Sequence, residues 1–234
     1  MTTARGSLLA DVVSRTRHVL LDFDGPICSI FAHITNRSVA EQLRSLIVAA
    51  GIDLPPEVLS EDDPLEILRF SSGLDQDLAE QVESALRLAE LRASDSAEPT
   101  PDADEALLAC RQTGRPVAVV SNNSREAVEA YLKRRRFIEH VRCVAGRTEP
   151  HPSLLKPSPH LVLEAVYALG ADPGACVLVG DSTSDIVSAQ AAKVRSIGFA
   201  NKPGKDTTLL EAGADAIILT MAELAVALRN NGQP

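Results

Sequence analysis

Four short segments of this chain carry side chains that could do chemistry together. The first is Asp22-Phe23-Asp24-Gly25-Pro26, which follows the apolar run His18 to Leu21. Side chains two residues apart on an extended segment share a side, so Asp22 and Asp24 converge where a buried strand would meet solvent. Two such acids repel unless a cation or a shared proton intervenes. The arrangement suits chemistry in which one carboxylate is held ionised by a metal while its neighbour handles a proton. Taken alone, a strand-ending acidic turn explains the same residues more simply.

The second segment is Ser121-Asn122-Asn123, after Val117 to Val120. A hydroxyl and an amide there can donate to phosphate oxygens, helped by backbone N–H groups at the start of a helix near Arg125. Ser121 or Ser124 could equally serve as that helix's cap. The third is Lys156-Pro157-Ser158-Pro159. Pro157 biases Lys156 towards an extended backbone and Ser158-Pro159 starts a helix, so the ammonium is presented at a defined place, where it could neutralise a phosphoryl group or a carboxylate. The fourth is Gly180-Asp181-Ser182-Thr183-Ser184-Asp185, after Val177 to Val179. An oxygen-rich set of Asp22, Asp24 and Asp181 would suit Mg²⁺. Asp185 fits a helix N-terminus, where the dipole favours an acid, and can support the metal from there.

These segments need elements to hold them. Short β-type runs recur at His18 to Phe23, Val117 to Ser121 and Val177 to Gly180, with weaker ones at Val141 to Val144, Arg195 to Gly198 and Ala216 to Leu219. Their continuous apolar character predicts strands covered on both faces. Helical patterns alternate with them: Thr100-Pro101-Asp102 precedes Ala103, Ala106, Leu107 and Cys110, and Ser158-Pro159 precedes a pattern that Gly170 closes. Alternation of this kind predicts an α/β core with a doubly wound parallel sheet, whose ligands bind at the carboxyl ends of the strands. From about Ile30 to Glu98 the rhythm breaks. Helical periodicity runs through Val39, Leu43, Leu46, Ile47 and Ala50, and again through Leu78, Val82, Ala85, Leu86 and Ala89, with turns at Pro55-Pro56 and Ser71-Ser72-Gly73. The expected division is a core of residues 1–29 and 99–234 with a small helical insertion at 30–98, because so long a strandless stretch exceeds an ordinary connection.

The chain has 234 residues, 45% of them hydrophobic and 24% charged, ordinary values for a globular protein. Aromatics at 3%, no Trp and a formal charge of −9 argue against a nucleic-acid partner. The only basic run, Lys133 to Arg136, reads as a solvated helix end. Cys28, Cys110, Cys143 and Cys176 lie too far apart for a zinc motif and read as reduced thiols. No run is long enough to span a membrane and the first residues lack a signal-peptide pattern, so a cytoplasmic location is expected. The sequence leaves oligomeric state undetermined.

In order, Asp22-x-Asp24-Gly25, Ser121-Asn122, Lys156-Pro157 and Gly180-Asp181-Ser182-x-x-Asp185 resemble the haloacid dehalogenase superfamily of phosphotransferases. The likeness is densest from Leu155 to Gly204, through Ala168-Leu169-Gly170 and Asn201-Lys202-Pro203-Gly204. The helical insertion resembles the cap of the phosphoglycolate phosphatase and β-phosphoglucomutase branch. The resemblance implies a Mg²⁺-dependent phosphatase of a small phosphorylated metabolite. Asp22 would be the nucleophile that forms an aspartyl-phosphate, and Asp24 the general acid and base. Ser121, Asn122 and Lys156 would bind phosphoryl oxygens, and Asp22, Asp24 and Asp181 the metal, with Asp185 in support. Two positions depart from the pattern: Pro26 follows Asp-x-Asp-Gly, and Lys193 stands where a Gly is expected. Pro26 fixes φ and deletes an N–H beside the nucleophile. A sugar-phosphate mutase is an alternative within the family, disfavoured because Gly180 stands where mutases carry an acid. A non-catalytic phosphometabolite-binding or regulatory module is the other.

Overall fold

The computed structural model describes residues 2–231. Its strands are β1 (His18–Leu21), β2 (Cys28–Ser29), β3 (Glu98–Pro99), β4 (Val117–Ser124), β5 (Val141–Arg147), β6 (Cys176–Gly180), β7 (Arg195–Phe199) and β8 (Ala216–Ile218). Its helices are α1 (Thr2–Ser14), α2 (Asn36–Ala49), α3 (Pro56–Leu59), α4 (Pro64–Ser71), α5 (Gln76–Ser96), α6 (Ala103–Gln112), α7 (Arg125–Arg134), α8 (His160–Ala168), α9 (Thr183–Ala191), α10 (Lys205–Glu211) and α11 (Met221–Asn230).

All six strands expected from the sequence join one parallel sheet in the order β5-β4-β1-β6-β7-β8. Successive residues explain their unbroken apolar runs. Val19, Leu21, Val119, Val177 and Val179 enter a core shared with α1, α6, α7 and α11. The alternate residues Leu20, Ala118, Val120 and Leu178 pack with α8 and α9 on the other face. Both faces are covered, as a parallel sheet built from right-handed crossovers requires. Leu20 of β1 sits between Ala118 and Leu178 in register. The ends of β1, β4 and β6 therefore emerge side by side, and the chain reverses its winding direction there.

Helices α2 to α5 lie between β2 and β3, which pair antiparallel through Cys28↔Pro99 and Ser29↔Glu98. They share an apolar cluster containing Val39, Leu43, Ile47, Ile67, Leu68, Val82 and Leu86. Thr35, Asp63 and Asp75 cap α2, α4 and α5 by accepting from backbone N–H groups.

Several expectations need correction. β1 ends at Leu21 instead of Phe23, because the Phe23 carbonyl accepts from Ile27 and Cys28 and turns the chain. Ala50 lies beyond α2 and is exposed. Asp102 precedes α6 in the left-handed region, φ 62°, with no side-chain capping bond, and the Thr100 hydroxyl donates instead to the Gly25 carbonyl. Helix α1, which buries Leu9, Val12 and Val13, was not foreseen. The basic run is also more than a solvated end: Arg134 donates to the Ser94 and Ala97 carbonyls and stacks over Tyr131. All four cysteines are free. Among the described residues, no helix is long and apolar enough to cross a membrane.

Candidate active site

The β1 ladder continues one residue past the strand, where the Asp22 N–H donates to Val179 O at 2.9 Å. Phe23 then turns into the core, edge-on to Tyr131 at 5.3 Å, while Asp22 and Asp24 both face one cavity of about 370 Å³. Gly25 has φ +114°, and a Cβ there would lie 2.5 Å from Asp181 Cγ, so the turn needs glycine for both conformation and space. The turn's main-chain bonds are donated by Gly25, Ile27 and Cys28.

At the end of β4, Ser121 pairs with Gly146 and pairing resumes only at Ser124 with Arg147. Asn122 and Asn123 bulge out of the ladder between them. Ser121 and Ser124 do not cap α7: the Ser121 hydroxyl donates to Asn123 Oδ1 at 3.1 Å and accepts from the Asn123 N–H at 3.1 Å, and no capping bond forms from Ser124. The Asn122 amide brackets the Lys156 main chain, accepting from its N–H at 2.8 Å and donating to its carbonyl at 3.1 Å. The Lys156-Pro157 peptide is cis. Lys156 is 3% exposed, and its Nζ donates to Asp22 Oδ1 at 2.7 Å, Asp185 Oδ1 at 2.5 Å and Val120 O at 3.2 Å.

β6 delivers Gly180 and Asp181, and Ser182 opens α9 with a reciprocal cap to Asp185. Asp185 does more than complement the helix dipole, since it also holds Lys156. A Cβ on Gly180 would overlap the Asp185 carboxylate. Asp181 pairs with Lys205 and accepts from Asn201 Nδ2 at 3.1 Å. Carboxylate oxygens of Asp22, Asp181 and Asp185 lie within 4.8 Å of one another, a hard-oxygen set fitting a divalent cation. The Asp24 carboxylate stands outside that trio and accepts from the Ile30 N–H at 3.1 Å. The four acids Asp22, Asp24, Asp181 and Asp185 face two ammonium groups, Lys156 and Lys205, leaving a formal excess of two negative charges.

Burial pushes the Asp22 carboxyl well above the ordinary range, and the neighbouring Asp185 charge adds to this while Lys156 opposes it. Burial opposes the charge of Lys156, but Asp185 and Asp22 outweigh it and hold the ammonium above the usual lysine range. Asp24 is raised to about 6, chiefly by burial, with the Ile30 hydrogen bond pulling the other way. Burial, then the charges of Asp24 and Asp22, push the Cys28 thiol well up, in keeping with a packed and unreactive group.

Every site residue expected from the sequence lies at this one place: Asp22, Asp24, Ser121, Asn122, Lys156 and Asp181 line the cavity, and Asp185 is buried beneath Lys156. Sequence reasoning named Asn123 and Asn201 only as motif members, without a role, and missed Lys205 and a buried group formed by Glu83, Glu90 and Arg147. A signal for the last existed, because Glu83 and Glu90 interrupt the apolar face of α5. Arg69, from α4, lines the same cavity and reaches Pro152 O and Lys156 O, whereas Arg37 pairs with Glu41 on the surface. Lys193 adopts φ 60°, the left-handed conformation that explains why a glycine is expected there.

The sequence profile of the haloacid dehalogenase-like hydrolases matches residues 16–193. Phosphoglycolate phosphatase of Neisseria meningitidis is 32% identical over 112 residues, covering 48% of this chain and 46% of that protein. Putative pyrophosphatase PpaX of Caldanaerobacter subterraneus is 35% identical over 98 residues, 41% of this chain and 43% of that one. These alignments thus span under half of each relative. Among solved structures, a predicted phosphatase from Clostridium acetobutylicum superposes with a TM-score of 0.69 at 15% identity, over 92% of this chain and 99% of that one. CbbY of Rhodobacter sphaeroides, in complex with phosphate, gives 0.66 at 20%, over 91% and 99%. Both likenesses concern the fold. With three quarters of its length matched by one profile and that profile's fold around the acid cluster, this chain belongs to the haloacid dehalogenase-like hydrolase family.

Proposed function

We propose that this protein is a Mg²⁺-dependent phosphatase that hydrolyses a small phosphorylated metabolite through an aspartyl-phosphate on Asp22. The observation that carries this reading is the contact of Lys156 Nζ with Asp22 Oδ1 at 2.7 Å, in a cavity that also presents Ser121, Asn122 and Asp181. Asp22 is buried in a way that disfavours its charge, so it needs cations to stay nucleophilic. Lys156 supplies one. The residues that would hold the metal are Asp22 and Asp181 through their carboxylates and Asp24 through its backbone carbonyl, with Asp185 adjoining, and a divalent ion bound there would offset the two remaining negative charges and those of the transferring group.

An Asp22 carboxylate oxygen attacks phosphorus, and the bond from phosphorus to the ester oxygen breaks. Asp24 gives its proton to the leaving oxygen. It then takes a proton from the water that attacks the aspartyl-phosphate, and inorganic phosphate leaves as the Asp22 carboxylate is restored. A carboxyl raised to about 6 is suited to both transfers near neutral pH. Ser121, Asn122 and Lys156 orient the phosphoryl oxygens, and positioning with charge stabilisation is most of what phosphoryl transfer demands. The helical segment 30–98 acts as the cap: Asn36, Asp63 and Arg69 line the cavity from that side, where a leaving group would lie.

Gly180 favours hydrolysis over mutase chemistry, since Asp185 fills the space an acid before Asp181 would need. The test is phosphate release from p-nitrophenyl phosphate and a panel of phosphorylated metabolites, with and without Mg²⁺. Release that requires Mg²⁺ and is abolished in Asp22→Asn is expected. Release that persists in that variant rejects the aspartyl-phosphate, dependence on a bisphosphate activator indicates a mutase, and binding without turnover indicates a regulatory module.

A further inference from the structure

The bulge that lifts Asn122 and Asn123 out of the β4–β5 ladder leaves main-chain groups that the sheet does not satisfy, and buried groups of this kind need partners. The partners come from an ion pair outside the catalytic set. Glu90, on α5 and 1% exposed, accepts from the Ser124 N–H at 2.8 Å and from Asn123 Nδ2 at 3.2 Å. Arg147, the last residue of β5, donates to Asn122 O at 2.8 Å. The two are joined by a bidentate contact, Nη1 to Oε1 at 3.0 Å and Nη2 to Oε2 at 2.8 Å. From this pair the bonds run on to the site, because Asn123 holds the Ser121 hydroxyl and Asn122 brackets Lys156.

We infer that the buried Glu90–Arg147 ion pair positions the phosphoryl-binding segment Ser121 to Ser124. The inference rests on the phosphatase reading above. Glu90 comes from the helical segment and Arg147 from the sheet, so swinging α5 away would separate two buried charges and strip the bulge of its partners. Arg134, which donates to Ser94 O at 2.5 Å and Ala97 O at 3.4 Å, holds the next turn of the same C-terminal end of α5 to α7.

Glu83 provides the control. It meets Arg147 Nε at 3.2 Å and Arg87 Nη2 at 2.6 Å, is as buried as Glu90, and bonds no atom of the Ser121 to Ser124 segment. Glu90→Gln and Glu83→Gln both remove a buried, paired charge, and both are expected to lower Tm. Only Glu90→Gln is expected to lower kcat/KM for p-nitrophenyl phosphate, by about 100-fold, the effect of a misplaced binding group. It should also weaken orthophosphate binding measured calorimetrically. Asn123→Ala keeps the ion pair but cuts its link to Ser121, so it carries the test should Glu90→Gln not fold, and it is expected to change activity in the same direction. Equal losses of kcat/KM in the two glutamine variants, or Asn123→Ala within about twofold of wild type, overturn the inference. Failure of the phosphatase reading looks different, as wild-type protein that binds orthophosphate yet turns over no phosphoester. Binding by Glu90→Gln as tight as wild type then overturns the inference on its own. Wild type that neither turns over nor binds orthophosphate overturns both.

Discussion

Replacing Asp24 by Asn should make the metal-free protein more stable while ending its activity. The Asp24 carboxyl is raised from 3.8 to about 6 by burial. A raised carboxyl means that the folded protein holds this proton more tightly than the unfolded chain does, so stability falls as pH rises through that window and stays reduced above it. A shift of about two units corresponds to roughly 3 kcal/mol between protonation states. Asn has no charge to bury, and its carbonyl oxygen can keep the hydrogen bond from the Ile30 N–H. In EDTA at pH 8, Asp24→Asn is therefore expected to gain up to about 3 kcal/mol, or about 6–12 °C in Tm for a chain of this size. The gain should shrink towards zero at pH 4, where wild-type Asp24 carries its own proton, and should diminish when Mg²⁺ is added. Calorimetric melts of both proteins at pH 4, 6 and 8 measure it. A Tm at pH 8 equal to or below wild type, or a gain unchanged at pH 4, refutes the reasoning that Asp24 is ionised at a cost to folding.

Lys156→Met should leave Asp22 and Asp185 facing each other without their shared cation; a loss of about 100- to 1,000-fold in kcat is expected from single-turnover and steady-state assays, and activity within tenfold of wild type would contradict the role given to the ammonium. If the acid cluster holds Mg²⁺ as proposed, the ion should raise Tm saturably, since a ligand of the folded state alone stabilises it; a thermal-shift titration showing no rise contradicts it. Gly25→Ala is expected to destabilise by at least about 1–3 kcal/mol through its left-handed φ and to weaken that Mg²⁺ titration, since the new methyl meets Asp181. Leu86→Ala, fully buried in the helical cluster, should cost about 2–5 kcal/mol in denaturant melts. Cys28 should resist a disulfide reagent in native protein and react only on unfolding, given a thiol held well above its ordinary range by burial.

The sequence alone determined the sheet, its strands and the set of residues that gather at their ends. Runs such as Val117 to Val120 and Val177 to Val179 are local signals, and so are the Asp22-Phe23-Asp24-Gly25 and Gly180-Asp181 turns that end them. Once the strands lie parallel with β1 between β4 and β6, their carboxyl ends must meet. Local signals did not settle exact ends: β1 stops short of Phe23 because a turn captures that residue's carbonyl, and Asp102 lies outside the capping geometry its type suggests. Nor did they settle which charges pair. Lys205 reaches Asp181 across 24 residues of chain, Arg147 reaches Glu90 across 57 and Glu83 across 64, and Lys156 reaches Asp22 across 134. Hydrophobic period and turn chemistry act over a few residues and fix which elements form. Coulombic partners and the accessibility that shifts Asp24 towards neutrality depend on how those elements pack, and only the tertiary structure decides that.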